Sequence, residues 1–475
     1  MGLGTVAVYS DADRGALHVL HAEEAYRLGP APAAESYLRG DLILEIARQA
    51  GADAVHPGYG FLSENAEFAE ACEAAGVTFI GPPASAMRML GSKTRARQAA
   101  DTAQMPRVPG SVTGLADVAE ALRVAAGIGY PVMLKAAAGG GGKGMRAVTK
   151  AEDLAAAFAA ASSEAERSFG SGEMYLEKLI ERPRHIEIQL MADEHGHCVY
   201  LGERECSVQR RHQKVIEEAP SAVVSEDLRR RMGEAAVRLA LSAGYVNAGT
   251  VEFLVDGEEN FYFLEVNTRL QVEHPVTEMV TGLDLLHLQL RVAMGEPLPI
   301  TQEDVRLRGH AIECRIYAED PDNNFFPSPG LITRLVQPGG PGIREDCAVF
   351  AGWRVPLDYD PMLSKLVAFA PTREMAIDRM LRALNEYVIG GIKTNIGLFR
   401  LILTDPDFRA ARIDTGYLER LLGEGTSVVE EIVPEDVVAV AAALFAASAK
   451  RETVTGSTAR ESRWAEAGRR EGLRL

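Results

Sequence analysis

Residues 265–273 read Glu-Val-Asn-Thr-Arg-Leu-Gln-Val-Glu, with a polar side chain at every odd-numbered position. Side chains alternate between two faces in an extended chain, so these polar groups would project from one side. They are Glu265, Asn267, Arg269, Gln271 and Glu273. This face offers oxygen ligands for a cation, a guanidinium for an anion and a carboxylate that can act as a base. The stretch therefore predicts a functional strand, with an ordinary solvated strand edge as the alternative.

A second carboxylate, Glu252, lies among the apolar residues of the segment 249–255, where it is costly to bury without a cation or a donor. The turn at 256–260 predicts a hairpin that pairs this segment with Phe261–Val266. Pairing would bring Glu252 beside Glu265, and two close carboxylates repel unless a cation lies between them. With Asn267 they form an oxygen-rich site suited to Mg²⁺ bridging phosphates. Structural salt bridges are the alternative role.

A glycine-rich segment, Gly-Gly-Gly-Gly-Lys-Gly-Met-Arg at 139–146, follows a strand that ends at Lys135. It matches Gly-x-Gly-x-x-Gly only formally, because Met145–Thr149 resembles a second strand rather than a helix. The pattern instead predicts a flexible hairpin whose backbone amides close over phosphate oxygens, with Lys135 and Lys143 adding positive charge. The alternative is a surface hairpin without a ligand.

A basic run occupies 203–214, and its cationic or potentially cationic residues are Arg204, Arg210, Arg211, His212 and Lys214. Such a run is often only a solvated face. Alternation with Gln209 favours a cleft that holds a polyphosphate or a ribose.

The 475-residue chain has an ordinary globular composition, 47% hydrophobic and 25% charged, and is long enough for two to four domains. Its net charge of −17 argues against nucleic acid as a bulk partner. The five cysteines are scattered, which indicates a reducing compartment and neither disulfides nor zinc. The longest apolar stretch, Val437–Ala449, is shorter than the roughly 20 residues that cross a bilayer, and a cytoplasmic location is expected.

Alternating strands and helices in the first 85 residues predict a parallel, doubly wound α/β sheet. An α+β region follows, with strands predicted at Met174–Glu177, His185–Ala192, Cys198–Glu203, Gly249–Val255 and Phe261–Val266. A third region, to residue 422, ends in turn-rich strands and a predicted helix, Arg373–Tyr387.

Five motifs, in order, resemble those of biotin carboxylases in the ATP-grasp superfamily, and the resemblance covers residues 1–422. The motifs lie at 56–65 (His-Pro-Gly-Tyr-Gly-Phe-Leu-Ser-Glu-Asn), 139–146, 203–214, 265–278 and 309–315 (Gly-His-Ala-Ile-Glu-Cys-Arg). The resemblance implies a Rossmann-like N-terminal domain at 1–85, an ATP-grasp domain at 86–308 with a lid at about 110–180, a C-terminal domain at 309–422 and a linker at 423–475.

The implied reaction carboxylates biotin with ATP and bicarbonate through carboxyphosphate, with Mg²⁺ or Mn²⁺ at two sites. The resemblance assigns ATP binding to Lys93, Lys135, Gly140, Gly141, Gly142, Glu177, Lys178, Ile180, His185, Gln209 and His212. It assigns bicarbonate to Lys214, Arg269, Gln271 and Val272, biotin to Tyr59 and Arg315, and the metals to Glu252, Glu265 and Asn267. Glu273 would deprotonate bicarbonate, and Arg315 would stabilise the enolate-like biotin, with Arg269 and Lys214 as further catalytic residues.

The sequence departs from the family at both ends. Met1 matches a point inside the family's first helix, so the N-terminal sheet is expected to lack its first strand, and an inactive assembly fragment is one alternative. No Met-Lys-Met biotinylation site occurs, so biotin is expected on a separate carrier domain or protein that also serves a carboxyltransferase subunit. The resemblance favours the α subunit of an acetyl- or propionyl-CoA carboxylase and a homodimer. Pyruvate carboxylase and another ATP-grasp ligase are the alternatives.

Overall fold

The computed structural model describes residues 1–111, 114–136, 144–423, 440 and 442–445, without the side chains of residues 93, 94, 168 and 169. The chain divides into two compact units, Met1–Val428 and Val429–Leu475. In the second unit the described residues, 440 and 442–445, are helical. Of the predicted linker at 423–475, the structure describes Gly423 and these helical residues, and the predicted phosphate-binding glycines 140–142 lie outside the described residues.

The N-terminal region contains two parallel pairs of strands, β1 with β2 and β3 with β4. Its elements are β1 (Val6–Ser10), α1 (Leu17–His21), β2 (Glu24–Gly29), α2 (Gly40–Ala50), β3 (Ala54–Val55), α3 (Ala66–Ala74) and β4 (Thr78–Phe79). The parallel pairing agrees with the predicted alternation. The expectation of one continuous sheet is wrong for the described residues, because the two pairs form separate two-stranded sheets.

A small three-stranded antiparallel sheet follows, in the order β6-β5-β7, and packs against two helices, α6 and α7. The elements of this part are α4 (Ala84–Leu90), α5 (Lys93–Thr102), α6 (Val118–Ile128), β5 (Val132–Ala136), β6 (Met145–Val148), α7 (Leu154–Phe169) and β7 (Met174–Lys178). Its own core is fully buried at Leu134, Leu154 and Met174. The glycine-rich segment joins β5 to β6, and β6 confirms the strand that the sequence predicts after the glycines.

Most of the remaining chain builds and covers one large sheet. Its first elements are β8 (Arg184–Ala192), β9 (Cys198–Arg210), β10 (Gln213–Ala219), α8 (Glu226–Ser242), β11 (Asn247–Val255), β12 (Phe261–Asn267), α9 (His274–Thr281) and α10 (Leu285–Ala293). Then come β13 (His310–Tyr317), β14 (Glu319–Asp320), β15 (Phe326–Pro327), β16 (Gly330–Leu331), β17 (Arg334–Val336), β18 (Ile343–Cys347), β19 (Arg354–Val355) and β20 (Met362–Ala370). The last are α11 (Arg373–Glu386), β21 (Val388–Gly390), α12 (Ile396–Thr404), α13 (Pro406–Arg409) and α14 (Tyr417–Gly423).

The large sheet has eight antiparallel strands in the order β12-β11-β8-β9-β10-β13-β20-β18. It crosses the predicted boundary at 308/309, because β10 pairs directly with β13, with Ile216 opposite Cys314. Strands from the second and third predicted regions therefore share one continuous ladder.

The two faces of this sheet differ in polarity because side chains alternate along each strand. On one face, Ile186, Ile188, Val251 and Phe253 are buried in a core that includes α8. The intervening residues point to the opposite face and are polar, as at 185, 187 and 189 on β8. The functional side chains lie on this polar face. None of the described helices is long and apolar enough to cross a membrane.

Candidate active site

The ammonium group of Lys214, on β10, is the centre of the polar face. Its Nζ lies 2.5 Å from Glu187 Oε2, 2.9 Å from Glu252 Oε1 and 2.6 Å from Glu273 Oε1. An ammonium has three donors, so each carboxylate receives one. Burial would lower the pKa of Lys214, but the three carboxylates outweigh it and hold the pKa well above its usual range. Lys214 is therefore a permanent positive charge in the interior.

Glu273 precedes helix α9, and its fully buried carboxylate connects Lys214 to Arg315. Glu273 Oε2 accepts a hydrogen bond of 2.8 Å from Arg315 Nη2. Burial opposes ionisation, yet Lys214 and Arg315 together lower the pKa of Glu273 well below its usual range. This carboxylate is ionised near neutral pH and bound on both oxygens.

The predicted extended run from Glu265 to Glu273 is correct only as far as Asn267, where β12 ends. Beyond that point, Glu64 in the 56–65 motif accepts a hydrogen bond of 2.8 Å from the Thr268 amide and one of 3.0 Å from Arg269 Nε. These bonds replace strand pairing in the loop, and helix α9 then begins at His274. Strand alternation therefore does not place Glu273; the loop and the helix start do.

Arg315, on β13, is held between two buried carboxylates. Its Nε donates to Glu217 Oε1 at 2.6 Å, in addition to the bond with Glu273. Burial would lower the pKa of Arg315, but Glu217 and Glu273 hold it well above its usual range. Burial raises the pKa of Glu217 to about 7, with a further contribution from Glu273 that Arg315 opposes. The pair presents a fixed guanidinium beside a carboxyl group whose ionisation is opposed by burial and favoured by Arg315.

A chain of side-chain hydrogen bonds connects the loop to Glu252. Arg269 Nη1 donates to Gln271 Oε1 at 3.0 Å, and Arg269 Nη2 donates to Asn267 Oδ1 at 3.1 Å. Asn267 Nδ2 in turn donates to Glu252 Oε1 at 2.8 Å. The other end of Gln271, its Nε2, is buried without a hydrogen-bond partner. A guanidinium and an unsatisfied amide donor side by side are suited to a small planar anion.

Glu252 and Glu265 are cross-strand partners, as the sequence predicts. Glu252 Oε2 lies 3.0 Å from His185 Nε2, and Lys214 and His185 lower the pKa of Glu252 despite its burial. Neighbouring carboxylates in this setting are hard oxygen donors that fit Mg²⁺ or Mn²⁺. Asn267 turns its amide nitrogen towards Glu252, so its oxygen would ligate a metal only after the amide rotates.

A second cluster lies at the three-stranded sheet, where Glu177 on β7 binds two cations. Lys135 Nζ donates to Glu177 Oε2 at 2.6 Å, and Arg97 forms an ion pair with the other oxygen. The Arg97 guanidinium also lies 4.3 Å from the centroid of the Tyr175 ring. The ammonium of the next residue, Lys178, donates to the backbone oxygens of Gly129 and Tyr130. The Lys93 side chain lies outside the described part of the chain.

The structure divides the residues of the basic run between several environments. Arg204 is fully buried, and Arg210 lies 3.9 Å above the Phe325 ring. His212 is exposed in the turn between β9 and β10, where it has a positive φ. Gln209, in contrast, is buried directly opposite Lys214. The register between β9 and β10 shifts twice, between Lys214 and Ile216 and between Ile216 and Glu218, so evenly spaced residues of the run do not keep one common face.

Three further predicted residues lie around these clusters. Ile180 is half-buried just after β7. The Val272 carbonyl accepts a hydrogen bond of 3.1 Å from Lys365, and the same ammonium lies 5.9 Å from the centroid of the Tyr59 ring.

Sequence reasoning did not identify three buried residues of the polar face: Glu187, Glu217 and Lys365. Glu187 carried a signal, since residues 185–189 read His-Ile-Glu-Ile-Gln with strict polar–apolar alternation. The others lie in strands whose neighbours are distant in sequence.

Three family profiles together match most of the chain. They are described as biotin carboxylase, N-terminal domain (residues 1–87), carbamoyl-phosphate synthase L chain, ATP binding domain (92–301), and biotin carboxylase C-terminal domain (313–420).

Similar proteins include a biotin carboxylase from Halalkalibacterium halodurans, 55% identical over 88% of this chain and 92% of that protein. The propionyl-CoA carboxylase alpha chain of Ruegeria pomeroyi is 48% identical over 96% of this chain and 70% of that protein. A similar solved structure is the biotin carboxylase domain dimer of Hydrogenobacter thermophilus 2-oxoglutarate carboxylase, in complex with MgADP, ADP and bicarbonate. It is 48% identical, with a TM-score of 0.82, and the match covers 88% of this chain and 92% of that one.

Proposed function

Because the chain belongs to the biotin carboxylase family, we propose that the buried cluster around Lys214, Glu273 and Arg315 is the site of its reaction. The chain is an ATP-dependent ligase that carboxylates biotin, and ATP, magnesium and bicarbonate are its small-molecule requirements. The convergence of Lys214 and Arg315 on the single carboxylate of Glu273 is the observation that carries the proposal.

Bicarbonate fits between the Arg269–Gln271 pair and Glu273. The unsatisfied Gln271 Nε2 and the Arg269 guanidinium would bind its oxygens, and Glu273 would take its proton. The deprotonated oxygen attacks the γ-phosphorus of ATP, ADP leaves, and carboxyphosphate forms. Lys135 at the three-stranded sheet would hold the phosphates during this step.

The metal site that we assign consists of Glu252 and Glu265, with Asn267 after rotation of its amide. A divalent cation bound there would neutralise negative charge on the phosphates of ATP. When Glu252 serves a metal, Lys214 loses one of its three carboxylates, and its charge becomes available to the anionic substrate.

The depressed pKa of Glu273 makes it a weak base in the arrangement described. The same two cations that depress it, Lys214 and Arg315, would also stabilise the negative charge that develops on bicarbonate as its proton leaves. Proton transfer from bicarbonate to Glu273 therefore depends on Lys214 and Arg315 stabilising both groups. It does not depend on the basicity of Glu273 alone.

Biotin would accept the carboxyl group in the second half of the reaction. Carboxyphosphate breaks down to CO₂ and phosphate, the released phosphate takes the proton of the ureido nitrogen of biotin, and the resulting enolate-like anion attacks CO₂ through that nitrogen. Arg315 supplies a fixed guanidinium for the ureido oxygen, and Tyr59 would line the biotin side of the pocket.

We further propose that biotin is carried by a separate domain or protein and that the chain serves an acyl-CoA carboxylase of the acetyl or propionyl type. Similarity to the Ruegeria pomeroyi propionyl-CoA carboxylase alpha chain over 96% of this chain supports this assignment. A carboxyltransferase subunit would then be a further partner, and the dimeric Hydrogenobacter thermophilus domain supports a homodimer.

The decisive test is ADP release by the purified chain with Mg²⁺, ATP and bicarbonate, with and without free biotin. Release that depends on bicarbonate and rises with biotin is expected. Release that ignores biotin would contradict the proposal. ATP with Mg²⁺ should also raise the melting temperature, because a ligand that binds only the folded state stabilises it.

Replacing Arg315 with alanine is expected to lower biotin carboxylation by about 10- to 100-fold while ATP binding changes little, because one charge-assisted donor to the reacting group is lost. Carboxybiotin formation and nucleotide-induced thermal shifts measure the two effects. Arg334→Ala, at an exposed arginine of the same region, is the control. Unchanged carboxylation in Arg315→Ala would remove Arg315 from the mechanism.

Replacing Glu265 with glutamine is expected to raise the Mg²⁺ concentration needed for half-maximal ADP release by about tenfold, because one anionic ligand of a hard cation is lost. Glu258→Gln, at an exposed position in the same hairpin, should need the same Mg²⁺ concentration for half-maximal ADP release as the wild type. If Glu265→Gln keeps the wild-type metal dependence, the cation site lies elsewhere.

A further inference from the structure

Lys365 brings its ammonium to three separate parts of the site region. It lies on β20, directly opposite Arg315 in the ladder, and is only 5% exposed. Its Nζ donates to the Val272 carbonyl at 3.1 Å and lies 3.4 Å from Asp346 Oδ2. The same ammonium is 5.9 Å from the centroid of the Tyr59 ring. One side chain thus joins the loop after β12, the edge strand β18 and the N-terminal 56–65 motif.

We propose that Lys365 is a positioning residue that holds the bicarbonate and biotin half of the site in place. The inference rests on the proposed function, which assigns bicarbonate to Arg269 and Gln271 and the base to Glu273. The Val272 carbonyl lies between Gln271 and Glu273 in the chain, so the bond from Lys365 sets the position of both neighbours.

The loop 268–273 needs such support because its backbone is irregular. Glu64 binds its first part through the Thr268 amide and the Arg269 side chain. Lys365 binds the last part at Val272. Side chains from two other segments therefore hold the loop at both ends, which is how an irregular segment keeps substrate-binding groups in one geometry.

The charges around Lys365 favour this role over direct contact with ATP phosphates. Asp346 is itself held by Arg344, whose Nε and Nη2 donate to its two oxygens at 2.8 and 3.0 Å. The nearby Glu313 is fully buried, and burial raises its pKa well above the usual range against the opposing effect of the Lys365 charge. The Lys365 ammonium is thus fixed among Val272, Asp346 and the Tyr59 ring.

Replacing Lys365 with methionine keeps the length and apolar stem of the side chain and removes the ammonium. The KM values for bicarbonate and free biotin are expected to rise about 10- to 100-fold, the size of effect that a misplacement near 1 Å produces. The KM for ATP should stay within about twofold. Lys365→Arg should recover part of the loss, and Lys393→Met, at an exposed lysine of the same region, should match the wild type.

Amide hydrogen exchange gives a second readout that does not need activity. In Lys365→Met, exchange should accelerate at residues 269–274 and remain unchanged in β8 and β11. Wild-type KM values for bicarbonate and biotin in a folded Lys365→Met would overturn the inference, and so would an equal rise in the KM for ATP. If the wild type shows no biotin-dependent turnover, the proposed function fails, and the exchange pattern alone decides whether Lys365 holds the loop.

Discussion

Glu273→Gln is expected to lower bicarbonate-dependent, biotin-stimulated ADP release by about 10²- to 10⁴-fold, the usual contribution of a general base. Glutamine keeps the size of the side chain but cannot take a proton. It also removes the negative charge that Lys214 and Arg315 share at 2.6 and 2.8 Å. Steady-state ADP release with saturating ATP and bicarbonate measures the effect.

Nucleotide binding separates loss of chemistry from loss of structure in this variant. The thermal shift produced by ATP with Mg²⁺ should persist in Glu273→Gln, because the predicted metal ligands Glu252 and Glu265 are intact. Glu296→Gln, at a half-buried glutamate that pairs with Arg291, is the matched control and should keep wild-type turnover. Wild-type turnover in Glu273→Gln would show that another group deprotonates bicarbonate.

Arg204→Met is expected to destabilise the protein by roughly 3–5 kcal/mol, because removing one partner of a buried ion pair leaves the other charge uncompensated. Arg204 is fully buried on the polar face and forms an ion pair with Glu187. Its Nη1 also donates to Gln189 Oε1 at 2.7 Å and to Thr277 Oγ1 at 3.0 Å. Methionine satisfies none of these acceptors.

Urea denaturation followed by circular dichroism measures the change in the free energy of unfolding. Arg230→Met is the control, since Arg230 lies on the surface of α8 and pairs only with the exposed Asp227 and Glu234 in the described structure. Exposed ion pairs contribute about 0–1 kcal/mol, so this variant should unfold almost as the wild type does. Equal stability of the two variants would mean that Glu187 finds full compensation in Lys214.

Local patterns predicted several elements of the fold well. The strands predicted at 185–192, 249–255 and 261–266 are present as β8, β11 and β12, with small changes at their ends. The hairpin that pairs Glu252 with Glu265 is confirmed, because the turn at 256–260 sets the register between adjacent strands. The predicted helix at Arg373–Tyr387 is present as α11.

The same patterns failed where distant contacts compete with local preference. Alternation predicted a strand through Glu273, but hydrogen bonds that Thr268 and Arg269 donate to Glu64, some 200 residues earlier in the chain, hold the segment in a loop. The basic run at 203–214 also grouped Arg204 with residues that could face a ligand. In the structure, however, its partners on β8, β11 and α9 enclose it completely.

The amino-acid sequence by itself determined which residues carry chemistry, which strands exist and which face of each strand is polar, because side-chain alternation and turn chemistry are local properties. It also identified the family, through five ordered motifs. Only the tertiary structure decided that Glu187, Lys214, Glu273, Arg315 and Lys365 meet. Those side chains come from elements separated by up to 178 residues in the sequence, 187 to 365. Their proximity depends on strand order and loop geometry in the eight-stranded sheet, which arise from long-range pairing and burial that no local pattern encodes.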